Sequence, residues 1–270
     1  MKNPMVGLLT DLADERAVLI ALLERLLADT WNRPSPADGW LLRDCVAHLA
    51  ELDEVAAHVA EGQPFRGAPR KQPVGAIPEG ITASQQWGRE QDVATVLRWY
   101  REAGERLDIA LAPLDPKARL PWAGPPMSVR SFTTARLMEH WSHGLDIHDA
   151  AGVEPVDTDR LRHIAHLGYI TRDFAYVNRG MEAPRTQLRV ELRSPSGAEW
   201  AWGPEGAEDH VRGPAGDWCR VVTQRVHPLD TELVAKGPHA AEFLGLAQAF
   251  AGPPGAGRQP SGTGSSDSKE

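Results

Sequence analysis

The sequence has little sulfur: its 270 residues include two cysteines, Cys45 and Cys219. They lie far apart with no C-x-x-C spacing, which excludes a disulfide framework and a thiolate zinc knuckle. Cys45 sits in an apolar stripe without a matched partner and reads as an inert core thiol, not a nucleophile. Basic charge is also short. The 29 Lys and Arg against 37 Asp and Glu leave a net charge of −8 and no dense basic cluster. Nucleic-acid and anionic-membrane partners are therefore not expected, and a small-molecule substrate is. No run approaches the roughly eighteen apolar residues of a membrane span, and the N-terminal stretch mixes acids among its leucines, unlike a signal peptide. A cytoplasmic protein is expected; its oligomeric state is left open.

What is present suffices for one large domain or two smaller ones, with 41% hydrophobic and 24% charged residues. Apolar spacings of three and four predict an amphipathic helix over residues 6–29. Trp31 to Gly39 reads as a turn, with Ser35 or Asp38 available to cap a second helix from about Trp40 to Ala60. That helix carries the stripe Leu41, Cys45, His48, Leu52, Val55 and Val59. His48 is its one strongly polar member and is expected to face inward. After a Gly/Pro-rich loop over 62–80, a third helix is predicted over 82–112. A proline-rich stretch from Pro113 to Met127 follows, and Ser128 is placed to cap a fourth helix over 129–151. A fifth is predicted over 158–178, with Asp157 or Thr158 at its start and Gly180 at its end.

Beyond Ala183 the period changes from 3.6 to 2. The segments QLRVELR, AEWAWG, DHVRG and WCRVVTQ predict strands of a small sheet, and a last helix over 238–250 would cover it. The expected organisation is a helical domain over 1–182, a small α+β domain over 183–252 and a disordered tail over 253–270.

The chemistry concentrates on two predicted helices. Glu139 and His143 are four apart and can grip one ion from a single helical face, with His48 arriving from elsewhere in the fold. Three protein ligands leave coordination open for water or substrate, as in catalytic rather than structural zinc sites. Each part has an ordinary reading as well: an inward histidine is commonly a satisfied core residue, and an i,i+4 pair is common on exposed helices. Against that, Phe132, Arg136, Glu139, His143 and Asp146 form one stripe, and so many ionisable groups together are costly unless they pair or bind an ion. Asp146 could accept the second N–H of His143, or serve only as a surface or capping carboxylate. Arg136 could orient Glu139, meet an anionic substrate group, or form a plain salt bridge; Asp44 is as ambiguous. His163 and His166 are a pair without a nearby acid. His140 and His148 are expected to be partly exposed or to line a pocket rim, and Trp31, Trp40 and Trp141 to pack bundle ends or the wall of the site.

The segment RLMEHWSHGLDIHDAAG (Arg136 to Gly152) resembles the R-x-x-E-x-x-x-H-x-x-D signature of the mycothiol-dependent maleylpyruvate isomerase family, within the DinB-like metalloprotein superfamily. WNRPSPADGWLLRDCVAHLAELDE (Trp31 to Glu54) resembles that family's other signature. The region from Gly213 to Gly252 is similar to the C-terminal part of an actinobacterial metal-binding subgroup. The resemblance implies an N-terminal DinB-like four-helix bundle with a small C-terminal α+β domain of sterol-carrier type. It also implies a divalent metal, usually zinc, on His48, Glu139 and His143. Mycothiol is the implied co-substrate. A metal in an open site lowers the pKa of a bound thiol or water, and the resulting nucleophile can serve cis–trans isomerisation or S-transfer. Two alternatives stay open: a thiol-independent metal enzyme for cyclisation, hydration or elimination, and a non-catalytic, metal-stabilised ligand-binding protein.

Overall fold

In the computed structural model, which describes residues 4–66, 68, 70–122, 126–255 and 257–261, the first unit of the chain is Met1–Pro155. It is built from α1 (Pro4–Leu23), α2 (Leu42–Ala60), the short α3 (Ala83–Arg89), α4 (Val93–Leu111) and α5 (Val129–Ala151). The four long helices form the bundle, with α2 packed against α3, α4 and α5, and α1 against α4 and α5. A two-residue hairpin, β1 (Arg119–Leu120) and β2 (Met127–Ser128), precedes α5.

Local chemistry sets the ends of these helices. The Ser128 hydroxyl accepts from the Ser131 N–H at 3.1 Å, and α5 ends at Gly152 with φ +69°, the left-handed residue a helix C-terminus favours. Neither Ser35 nor Asp38 caps α2. The carboxylate of Asp44 does so by accepting from the Leu41 N–H at 2.7 Å, while the Ser35 hydroxyl accepts from Ala37 N–H inside its own turn. The single helix expected over 82–112 is two helices. Asp92 starts a new one by accepting from Thr95 N–H at 2.7 Å, and the Glu90 carboxylate turns away to the N–H groups of Val74 and Gly75. The helix expected over 6–29 stops at Leu23, and residues 28–32 form a separate 3₁₀ turn. α2 is buried on most of its circumference and not on one stripe, because Ala47, Ala50, Ala56 and Ala57 let its neighbours approach closely.

The second unit is Val156–Glu270, so the division falls at Pro155 and not, as the change of period suggested, at residue 182. The reason is packing. α6 (Leu161–Ile170) and α7 (Arg172–Val177) lie against the sheet and the helices that follow it: Trp218 Nε1 donates to the carbonyl of Ala165 at 3.1 Å, and Gly168 abuts Val222 so closely that an added Cβ would sit 2.8 Å from its methyl groups. The helix predicted over 158–178 breaks at Thr171, whose hydroxyl donates back to the Leu167 carbonyl at 2.8 Å.

The sheet has the order β4-β3-β5-β6, from β3 (Leu188–Arg193), β4 (Glu199–Trp202), β5 (Asp209–Pro214) and β6 (Val234–Lys236). β3 and β5 are parallel and the other pairs antiparallel. The fourth expected strand, WCRVVTQ, is instead part of α8 (Ala215–Val222), where Ala215, Trp218, Cys219 and Val222 recur at helical spacing and are all buried. The last helix is α9 (Ala240–Leu246), shorter than expected. Residues 262–270 of the expected tail lie outside the described residues, and the described part of 253–261 holds neither helix nor strand. The fold is thus a helical bundle followed by a small α+β unit. Among the described residues no helix is long and apolar enough to cross a membrane.

Candidate metal centre

His48 leaves the middle of α2, and Glu139 and His143 leave successive turns of α5. The packing of these two helices brings the three side chains together. Nε2 of His48 lies 3.8 Å and Nε2 of His143 lies 3.7 Å from the same Glu139 oxygen, and the three candidate donor atoms all fall within 4.8 Å of one another. Metal bonds of 2.0–2.2 Å place tetrahedral donors about 3.4 Å apart, so small side-chain rotations close this set on one ion. The side chains are 20%, 21% and 12% exposed for His48, Glu139 and His143, which leaves the cluster reachable from solvent. Burial would raise the Glu139 carboxyl, but His48, His143 and Arg136 outweigh it and hold the group down at about 2. It is an ionised acceptor facing two imidazoles, a donor set that suits a divalent cation.

The surroundings orient the donors. Nδ1 of His143 lies 3.0 Å from Oδ2 of the buried Asp146. An Nδ1–H donating to that carboxylate leaves Nε2 with its lone pair toward Glu139. The indole of Trp40 stacks on the His143 ring at 5.4 Å and 15°, and meets His48 at 5.0 Å. Its Nε1 donates to the Gly80 carbonyl at 3.1 Å, fixing it as one wall of the site. Cys45 is fully buried and its sulfur lies within 4.8 Å of ligand atoms of His143 and Asp146. The thiol therefore backs the site and is more than a distant core residue.

Other sequence candidates fall elsewhere. Arg136 is buried and donates through Nε to Asp53 at 3.0 Å, so it makes a salt bridge there, and its charge helps to hold the Glu139 carboxyl down. Asp44 pairs with Arg89 at 2.9 Å. His140 and His148 are not rim residues: His140 is fully buried, and His148 is 9% exposed with Nδ1 3.0 Å from the Val153 carbonyl at the end of α5. Trp31 and Trp141 are buried in the bundle. His163 and His166 belong to the second unit and, among the described residues, join no group of three metal-binding side chains.

Sequence reasoning missed a second polar cluster, centred on Asp53 and drawn from all four long helices. Asp53 accepts from Arg136, has Nε2 of His140 at 2.9 Å and Nη1 of Arg16 at 3.6 Å; Tyr100 Oη lies 2.9 Å from Nδ1 of His140, and Arg16 also pairs with Asp108. Against the penalty of burial, His140, Arg136 and Arg16 hold the Asp53 carboxyl far below the carboxylate range. Burial pushes His140 down to about 4, more than Asp53 lifts it. The ring is neutral, donating from Nε2 to Asp53 and accepting at Nδ1 from the Tyr100 hydroxyl. The usable signal was the stripe Val46, Leu49, Ala50, Asp53 and Ala57 on α2, an acid at helical spacing among apolar residues.

The titration has a consequence for stability. Between pH 6.5 and about 4 the unfolded chain takes up a proton at His140 that the folded one refuses, so stability should fall with falling pH by about 1.4 kcal/mol per unit. Imidazole NMR checks this directly: His140 should stay neutral at pH 5, and a midpoint near 6.5 would contradict its burial in the network.

Comparison with known proteins bears on the same segment. A family model described as the mycothiol maleylpyruvate isomerase N-terminal domain matches residues 12–148. Two relatives, the uncharacterized proteins MT0041 and Rv0036c of two strains of Mycobacterium tuberculosis, are each 41% identical over 252 residues, covering 92% of this chain and 96% of theirs. Crystal structures of a mycothiol-dependent maleylpyruvate isomerase and of a variant of it superpose with TM-scores of 0.58 and 0.57 at 18% identity. They cover 86% and 87% of this chain, and 93% and 97% of theirs. At that identity the likeness is one of fold.

Proposed function

The chain belongs to the mycothiol maleylpyruvate isomerase N-terminal domain family, and on that premise we propose that it is a divalent-metal-dependent enzyme. In this reading it uses a low-molecular-weight thiol of the mycothiol class to isomerise, or to transfer sulfur to, a small electrophilic substrate. The observation that carries the proposal is the convergence of His48 and His143 on one ionised Glu139 oxygen, at 3.8 and 3.7 Å. His48, Glu139 and His143 would hold the ion, zinc being the best match to two imidazoles and a carboxylate. Such an ion would lower the pKa of a bound thiol and so would supply a thiolate at neutral pH without a strong protein base.

The chain's own residues do the rest. Asp146 holds the proton on Nδ1 of His143 and so keeps Nε2 available as a donor. Trp40 covers the two imidazoles and keeps bulk water off that side of the site.

The reading is tested by titrating mycothiol into the zinc-loaded protein with calorimetric detection. Saturable one-to-one binding that disappears after chelation is expected. Zinc binding without thiol binding would overturn the thiol part and leave a metal enzyme acting directly on a carbonyl.

A further inference from the structure

A fully buried charge lies beside the candidate centre, not in it. Asp53 is fully buried on α2, the helix that also carries His48, and it takes Arg136 Nε at 3.0 Å and His140 Nε2 at 2.9 Å from α5. On α5 these two partners are an i,i+4 pair in the row next to Glu139 and His143. Arg136 stands three residues before Glu139 and His140 immediately after it. The turn that presents the Glu139 carboxylate is therefore bonded at both ends to one side chain of α2.

We infer that Asp53 is a positioning residue for the metal centre, clamping the Glu139 turn of α5 to α2 so that the carboxylate meets His48. The inference rests on the metal reading of His48, Glu139 and His143. Apolar packing alone would hold α2 and α5 together equally well, since buried ion pairs are commonly no more stabilising than hydrophobic residues of the same volume. What directional bonds add is register: two donors from one helix on one carboxylate of the other fix its translation and rotation together. A metal site needs that, because ligands must be held to within about 0.5 Å. The clamp is itself anchored from the other two helices. Tyr100 of α4 lies 2.9 Å from Nδ1 of His140, and Arg16 of α1 approaches Asp53 at 3.6 Å.

Arg136 provides the test, because positioning and plain electrostatics predict opposite results. Arg136→Met removes a cation one turn from a divalent ion; by charge alone the metal should bind more tightly. If Arg136 acts through the clamp, zinc affinity at neutral pH, measured by chelator competition, should weaken by about 10–100-fold, the cost typical of losing a group behind a ligand. Arg136→Lys keeps the charge and loses the Nε contact, so it too should weaken binding, whereas charge alone predicts no change. Circular dichroism of the metal-free variants below their melting temperatures verifies the fold. Asp209→Asn, which strips a buried, hydrogen-bonded carboxylate from the second unit, should destabilise the protein and leave zinc affinity unchanged. Wild-type zinc binding with Arg136→Lys unaltered and Arg136→Met unaltered or tighter overturns the clamp alone. No stoichiometric zinc on the wild-type chain overturns the centre and the clamp together.

Discussion

Replacing Glu139 by Gln is expected to abolish stable metal binding while leaving the bundle folded. The substitution keeps the shape of the side chain but removes the anion that both imidazoles face at 3.7–3.8 Å. If zinc binding amounts to something on the order of 10 kcal/mol shared among three protein ligands, losing the one charged ligand removes about 3 kcal/mol. That is a loss of at least about a hundredfold in affinity, at 1.4 kcal/mol per decade. The fold should survive because the Glu139 side chain is 21% exposed and the uncharged amide keeps its size, so its one approach to another helix, to His48 of α2 at 3.8 Å, is weakened without leaving a buried charge unpaired. Chelator competition with wild type and Glu139→Gln side by side reads the effect, and equal affinities would remove Glu139 from the ligand set.

The opposite pattern is expected at Asp53. Asp53→Ala leaves Arg136 and Arg16 buried without their shared counter-ion and deprives His140 of its acceptor. Breaking a buried ion pair from one side costs about 3–5 kcal/mol, which in a chain of this size lowers the melting temperature on the order of 10 °C. Urea denaturation of the metal-free protein is the proper measurement, since it separates fold stability from any stabilisation by zinc. A loss below about 1 kcal/mol, an ordinary surface effect, would mean that the four helices do not depend on the carboxylate at which they meet. On these expectations Glu139 is dispensable for folding and Asp53 is not.

How much of this was legible in the sequence depended on whether a signal was local. α5 could be read to the residue because both of its ends are local devices, the Ser128 cap and the left-handed Gly152. The meeting of His48 with Glu139 and His143 was approachable because each of the two helices exposes its part in simple periodicity. The breaks at Gln91–Asp92 and at Thr171 were not seen, since apolar spacing runs through them and side-chain hydrogen bonds decide the matter. α8 was misread as a strand because Val221 and Val222 favour extended structure in isolation, whereas burial of Trp218 and Cys219 on one face selects the helix. The Asp53 cluster was the largest omission. Its members are scattered from Arg16 to His140, and apart from Asp53, which sits in an apolar stripe of α2, each alone passes for an ordinary polar residue; their convergence shows that they are satisfied inside. The extent of the first unit was likewise a matter of tertiary packing, since α6 and α7 have the helical period of the bundle and yet α6 packs against α8 and β4, and α7 against α9.

The central claim is that His48, Glu139 and His143 form one open divalent-metal site, and metal analysis tests it most directly. The purified chain, reconstituted with zinc and freed of excess, should retain one ion per chain, and His48→Ala, Glu139→Gln and His143→Ala should each retain far less. A wild-type chain that keeps no stoichiometric metal, or three variants that keep as much as the wild type, would contradict it.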